Sequence, residues 1–228
     1  MTIALKAPIL LCCATKWESS PLIHRWGFSV VKSLHYEGSV RSVDVVLIKT
    51  GIGAAHVREA LAAQAAPRLA VSVGFSGALQ PRMASGDLVL DVSGLDLAVP
   101  QAAREIASAQ TIPLHFGRFA HTDTVLSRPE DKAALGRTQR CSAVDMESAA
   151  IKAWSESRGV SFLGARVVLD ALDDRLPSEV PVGETAVELI PFVLRNFMDL
   201  PTLARVGWLQ RRAMSRLATF LEDLLPCL

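Results

Sequence analysis

Two carboxylates stand two residues apart in Val144-Asp145-Met146-Glu147-Ser148-Ala149-Ala150, at the start of an apolar stretch. Residues two apart do not share a helix face. One of the pair therefore caps the helix while the other points into a site. A carboxylate so placed accepts hydrogen bonds from two adjacent sugar hydroxyls, because both are donors. Met146, between them, has a flexible thioether suited to lying against a ring. A third carboxylate, Asp170, ends the apolar run SFLGARVVL. An Asp there is either a helix N-cap or a functional acid with a raised pKa. Two glycine turns complete the set, Thr50-Gly51-Ile52-Gly53 and Gly74-Phe75-Ser76-Gly77-Ala78. Glycine lets a backbone approach a ligand, and a helix N-terminus favours anionic or hydroxyl groups. Either turn alone fits a plain strand-to-helix connection equally well.

The elements that must position these residues are read from hydrophobic pattern. Strands are expected at Pro8–Ala14, Ser42–Lys49, Leu69–Val73, Asp87–Val92 and Ser161–Leu169. Helices are expected at Ala54–Ala66, ended by Pro67, and at Val144–Trp154. Between them lies a polar, less regular middle. From Glu184 onward only helical patterns appear, Ala186–Met198 and Leu203–Leu225, the second with a basic face of Arg205, Arg211, Arg212 and Arg216. Apolar strands alternating with helices indicate an α/β fold: a three-layer α/β/α arrangement around a mostly parallel, mixed sheet. The expected organisation is one domain over 1–228, with about 184–228 a helical C-terminal extension. In such sheets ligands bind beyond the carboxyl ends of the strands, where the glycine turns and Asp170 fall.

Composition narrows the function. In 228 residues, 24 Lys and Arg face 23 Asp and Glu, a net charge of +1. That balance speaks against bulk-charge binding of nucleic acid or an anionic membrane. The four cysteines make no disulfide framework, and no CxxC or HxxxH spacing suggests a metal site. Ile9-Leu10-Leu11-Cys12-Cys13 follows Lys6, as in a signal peptide, but the run is short and charge returns at Lys16 and Glu18. It reads as a buried first strand. No stretch has the ~20 apolar residues of a membrane span. The expectation is a soluble, cytoplasmic protein.

Together, Thr50–Gly53, Gly74–Ala78 with Gly86-Asp87-Leu88-Val89, Val144–Ala150 and Asp170 resemble, in order and approximate spacing, the purine nucleoside phosphorylase and uridine phosphorylase superfamily. The pattern is most similar to 5'-methylthioadenosine/S-adenosylhomocysteine nucleosidases and their relatives, over roughly 8–174. The tail, with Asp199-Leu200-Pro201 and the Arg-rich helix, resembles the hopanoid-associated phosphorylase subgroup. The resemblance implies cleavage of the N-glycosidic bond of an adenosine-type, 5'-substituted purine nucleoside. It makes Asp170 the acid that protonates purine N7, and Glu18 the residue that orients the nucleophilic water. Glu147 then accepts the ribose hydroxyls and Met146 flanks the nucleoside. Val144, Asp145, Val125 and Leu126 lie beside base and sugar. Gly74, Phe75, Ser76 and Ile52 line the site. The implied chemistry passes through an oxocarbenium-like transition state and needs neither metal nor organic cofactor. Relatives complete the 5' pocket with a neighbouring subunit, so a homodimer is expected.

Three positions depart from the family pattern. Leu169 stands where relatives have Ser before the final Asp. Ser72 and Phe75 stand where phosphorylases carry an Arg and a Ser on phosphate. A phosphate dianion needs a cation or several converging N–H groups, and the Phe75 side chain supplies neither. Water is therefore favoured over phosphate, with Lys16 or Arg25 as substitute cations if phosphate is used. The alternatives are phosphorolysis, for instance of an adenosyl-hopane-like substrate, and a non-catalytic nucleoside-binding protein, which would have no need of Asp170. His121, within His121-Thr122-Asp123, lies closest of the histidines to the expected base loop. Cys141 has no base beside it in sequence and is not read as a nucleophile. Trp17 and Trp26 flank the expected Glu18 loop and either wall the pocket or pack.

Overall fold

The computed structural model describes residues 7–175 and 200–228, with side chains in the second stretch from 210 onward. The sheet is built on continuous apolar strands. β1 (Ile9–Cys13) is buried at every position and runs parallel to β4 (Val43–Lys49) and β5 (Leu69–Ala78). β5 runs parallel to β10 (Ser161–Asp170), and β10 runs antiparallel to β6 (Leu88–Asp91). The outer strands are β2 (Ser29–Lys32) and β3 (His35–Val40) on one side and β7 (Leu114–Phe116) on the other. The order is β2-β3-β4-β1-β5-β10-β6-β7, a mixed sheet. Two short strands, β8 (Phe119–His121) and β9 (Ala143–Asp145), join through an antiparallel pairing of β9 with β5.

Strand alternation sorts the side chains onto two faces. Leu11, Val71, Val73, Leu163, Ala165 and Val167 face one helical layer. It comprises α1 (Lys16–Trp26), α3 (Ala98–Ala109) and α6 (Leu200–Leu224), which contribute Leu22, Ala103, Leu217 and Phe220. Leu10, Cys12, Ala70 and Phe162 face the other. There α2 (Ala54–Leu61) and α5 (Ser148–Glu156) contribute Val57, Leu61, Ile151 and Trp154. The expected α/β/α layering is therefore the observed one. On α6, Met214, Leu217, Phe220, Leu221 and Leu224 are all fully buried, so this helix closes the first layer.

Several expected elements differ. The stretch Val144–Trp154 is not one helix: β9 ends at Asp145, and α5 starts at Ser148. Pairing of β9 with the end of β5 holds Val144 extended, opposite Gly77. α2 stops at Leu61, short of Ala66. β5 runs on past Val73 to Ala78, because β9 and β10 both pair with its end. The middle is not irregular: it holds α3, β7, β8 and α4 (Pro129–Gln139). Glu18 does not lie in a loop. Thr15 and Glu18 form a capping box that starts α1 at Lys16. The expected helix Ala186–Met198 lies outside the described residues.

Candidate active site

The carboxyl ends of β1, β4, β5 and β10 meet, and the chain after each delivers one part of the site. After β1, α1 brings in Glu18. Its Oε2 accepts the N–H groups of Ala14 (2.9 Å) and Thr15 (2.9 Å), and its Oε1 accepts that of Phe75 (2.9 Å). After β4, the turn through Gly51 and Gly53 needs positive φ at both glycines, +84° and +88°. This turn aims the Gly53 N–H at Glu147 Oε1, 2.8 Å away. Ile52 lies between the two glycines, its carbonyl accepting from His56 Nδ1 at 2.8 Å.

At the end of β5, Gly74 is where backbone and charge come closest. A Cβ there would lie 2.0 Å from Glu18 Oε1 and 2.5 Å from Arg166 Nη1. Ser72 and Ser76 share its sheet face. The buried Ser76 hydroxyl has no hydrogen-bond partner among the described residues. The Phe75 side chain lies on the opposite face, packed against the first core.

Asp145 and Glu147 divide the work between them. Asp145 Oδ1 accepts the N–H groups of Glu147 (3.2 Å) and Ser148 (2.9 Å) at the start of α5, whose N-cap residue is Glu147. Its Oδ2 accepts from the Ser148 hydroxyl. The Glu147 carboxylate turns instead toward Gly53 and Arg166. Met146 is half-buried between them.

On β10 a bulge at Leu169 shifts the register, so Asp170 comes opposite Gly77. A Cβ on Gly77 would be 3.1 Å from Asp170 Oδ2 and 3.2 Å from Val144 Cγ1, which places acid, glycine and valine side by side. Lys132, wholly buried on α4, sets its ammonium 2.5 Å from Asp170 Oδ2. Burial pushes the Asp170 carboxyl up, against the hydrogen bond and charge of Lys132. Two residues of the expected base loop are placed less closely. Leu126 packs with Val144, Leu79 and Ala120. Val125 is exposed, and no contact ties it to the acids. The loop itself is anchored through the Thr122 N–H to the Asp145 carbonyl at 3.2 Å.

The centre of the site is a residue that sequence reasoning missed. Arg166, opposite Gly74 on β10, is 1% exposed and stands among Glu18, Asp145 and Glu147. Its Nε lies 2.9 Å from Asp145 Oδ2. Nη2 donates to Ser72 Oγ at 2.7 Å and to Ser148 Oγ at 3.3 Å, and Nη1 to the Phe75 carbonyl at 3.3 Å. Glu18 and Glu147 are further off, at 3.6 Å and 3.5 Å, near or beyond hydrogen-bonding distance. Each of those two carboxylates therefore keeps acceptor capacity on the oxygen facing the guanidinium. The signal was legible: a lone Arg within SFLGARVVLD must be buried, and a buried charge must be paired.

Three carboxylates around one guanidinium leave an excess of negative charge. Burial is the first cause that lifts Glu147, to about 7; Arg166 opposes it, and the charges of Glu18 and Asp145 add to it. The proposed substitute cations are engaged elsewhere. Arg25 Nε lies 2.6 Å from Glu222 Oε2 on α6, and the Lys16 ammonium lies over the Trp17 ring. Burial also raises the Cys12 thiol to about 12 and pushes the Cys141 thiol up, so neither is a ready thiolate.

The model of the phosphorylase superfamily matches residues 93–224 of this chain. The chain belongs to the phosphorylase superfamily, and with it to the nucleosidase and nucleoside phosphorylase enzymes. No curated protein sequence matches it. Among solved structures, a futalosine hydrolase mutant of Helicobacter pylori aligns at 18% identity with a TM-score of 0.70, covering 97% of this chain and 100% of that one. The 5'-methylthioadenosine/S-adenosylhomocysteine nucleosidase of Campylobacter jejuni aligns at 16% identity and 0.71, over 97% and 100%. That of Neisseria meningitidis, in complex with methylthio-immucillin-A, aligns at 18% and 0.71, over 97% and 100%. These likenesses establish the fold. No helix among the described residues is long and apolar enough to cross a membrane.

Proposed function

We propose that the protein hydrolyses the N-glycosidic bond of an adenosine-type, 5'-substituted purine nucleoside, releasing the free base and a ribose derivative. The observation that carries this reading is the state of Arg166. Its N–H groups are taken by Asp145, Ser72, Ser148 and the Phe75 carbonyl, and two further carboxylates stand beside it. A phosphate dianion brought to this point would add charge to an anionic cluster and find its cation already paired. Water carries no such penalty.

In this reading Glu147 Oε2, turned away from Gly53, accepts the ribose hydroxyls. Glu18 Oε1, with one backbone donor, accepts a proton of the attacking water. Asp170 gives its proton to the base as the C1'–N bond breaks. The unpartnered Ser76 hydroxyl supplies one further contact to the nucleoside, with Ile52 and Met146 alongside. Val144 and Leu126 form an apolar wall, and Val125 offers its backbone to the base from the loop beside them. The same reading takes the chain as a single nucleoside phosphorylase-like domain acting as a cytoplasmic homodimer.

The test is release of free base from a panel of 5'-substituted adenosines and their 2'-deoxy counterparts, with Glu147→Gln beside the native protein. Glu147→Gln is expected to lower kcat/KM on ribosides by ~10²-fold and on 2'-deoxyribosides by far less, the scale of lost hydrogen bonds to a buried charge. Equal losses on both would remove Glu147 from the sugar site. The same variant reads the electrostatics. A pKa raised to about 7 in the fold means that the folded protein binds the proton more tightly than the unfolded chain. That contribution is full below the ordinary carboxylate pKa and lost as pH rises through 7. Gln mimics the neutral form, so the variant should melt above native protein at pH 8, with the gap closing toward pH 5.

A further inference from the structure

Among the described residues, Lys132 is the most deeply buried charged side chain outside the Arg166 cluster. It sits on α4, a helix whose other charged residues Glu130, Asp131 and Arg137 are not buried, and its own side chain is 0% exposed. An ammonium has three N–H groups, and three oxygens meet this one. They are Asp170 Oδ2 at 2.5 Å, the Ala171 carbonyl at 2.9 Å and the Asp174 carbonyl at 2.9 Å. The two carbonyls belong to the turn that leaves β10. That turn is closed by the Ala171 N–H on Asp174 Oδ2 at 2.8 Å and by the Asp174 N–H on the Ala171 carbonyl at 3.2 Å. Lys132 therefore fixes both the carboxyl and the backbone that carries it.

We propose that Lys132 is a positioning residue for the leaving-group acid, holding the Asp170 carboxyl in place and stabilising the carboxylate that remains once its proton has gone. This rests on the nucleosidase reading. In the step, the Asp170 O–H bond breaks and its proton forms a bond to a ring nitrogen of the base. The electron pair of the C1'–N bond leaves with the base, water adds at C1' and gives a proton to the Glu18 carboxylate, and Asp170 is left as a carboxylate. Lys132 keeps all three of its protons and faces that carboxylate at contact distance. A structural staple would need only the two carbonyls. The third contact, the ion pair with the acid, is what couples Lys132 to the chemistry.

Among the described residues, the groups facing Asp170 are few. Lys132 comes from α4 and Asp174 from the turn, while β5 and β9 offer Gly77 and Val144, neither charged. The Lys132 ammonium draws the Asp170 pKa down, while burial and the Asp174 charge draw it up. Removing the ammonium takes away the main downward influence and leaves burial and the Asp174 charge opposed only by a backbone hydrogen bond.

The experiment is the pH dependence of kcat for base release in native protein, Asp170→Asn, Lys132→Met, Lys132→Gln and Lys132→Arg. In Lys132→Met the alkaline limb is expected to move up by about 1 pH unit or more, the scale of losing a contacting opposite charge. Plateau kcat should fall ~10-fold, since a weaker and less oriented acid transfers its proton more slowly, while KM stays within about threefold. Lys132→Arg should return the limb to its native position. Lys132→Gln keeps a donor for the two carbonyls and carries the test where Lys132→Met does not fold. A limb that stays put in the neutral variants, or a KM that rises while kcat holds, overturns the proposal. The native protein separates the two claims. No base release from any nucleoside, or no loss in Asp170→Asn, defeats the nucleosidase reading. An Asp170-dependent activity with an unmoved limb defeats only the role of Lys132.

Discussion

Asp170→Asn should lower kcat by ~10²-fold or more, the usual loss when general-acid assistance is removed, and also lower the melting temperature, because the buried Lys132 ammonium loses its counter-charge. The residue ends β10 behind the Leu169 bulge, opposite Gly77, where burial raises its pKa and Lys132 holds it. Asn preserves size and shape but has no acidic proton to give the leaving base. Substrates whose leaving group needs no protonation should lose much less. The comparison of a natural purine nucleoside with an activated aryl riboside therefore distinguishes a chemical role from a structural one. Near-native turnover of both would remove Asp170 from the mechanism.

Arg166→Met is expected to cost about 3–5 kcal/mol of folding stability, as breaking a buried ion pair from one side does. For a chain of this size that corresponds to a melting temperature lower by about 10 °C. The loss is large because Arg166 answers three acids and two hydroxyls at once, on α1, β9, the start of α5 and β5. Removing it leaves Glu18, Asp145 and Glu147 buried together without a cation. Arg166→Lys should recover part of the stability, since charge returns. It should not recover activity, because one ammonium does not span Asp145, Ser72 and the Phe75 carbonyl as the guanidinium fork does. Thermal unfolding beside base-release assays on both variants checks this. A stable, active Arg166→Met protein would show that the cluster tolerates its own repulsion.

The central strands were readable because β1, β5 and β10 are buried on both faces and therefore appear as largely apolar runs. The β2–β3 hairpin was not, because Ser29–Lys32 is exposed at every position and has no buried face to set a period. β9 is three residues long, too short to show alternation, and its Val144 and Asp145 sit directly before a genuine helix. The capping box Thr15-Lys16-Trp17-Glu18 was an available signal for α1, and it would have moved Glu18 from a loop to a helix. In the site, the carboxylates were individually legible, since each stands at a strand end or helix start. Their common counter-ion was harder to find. Arg166 lies inside a strand, and only three-dimensional pairing brings it to Glu18, 148 residues away in sequence. Lys132 carries no local signal at all. In PEDKAALGRTQ it looks like any solvated lysine, and its burial depends on where α4 docks against the turn after β10.

The claim that water is the nucleophile is tested most directly by the sugar product itself. The protein would be incubated with a 5'-substituted adenosine in phosphate-free buffer made with oxygen-18 water, and the products resolved by mass spectrometry. The Arg166 geometry predicts free base together with a ribose derivative carrying one heavy oxygen at C1', at a rate unchanged by adding millimolar phosphate. Turnover only when phosphate is present, with a ribose 1-phosphate derivative as product, would contradict it and make the Arg166 cluster a phosphate site.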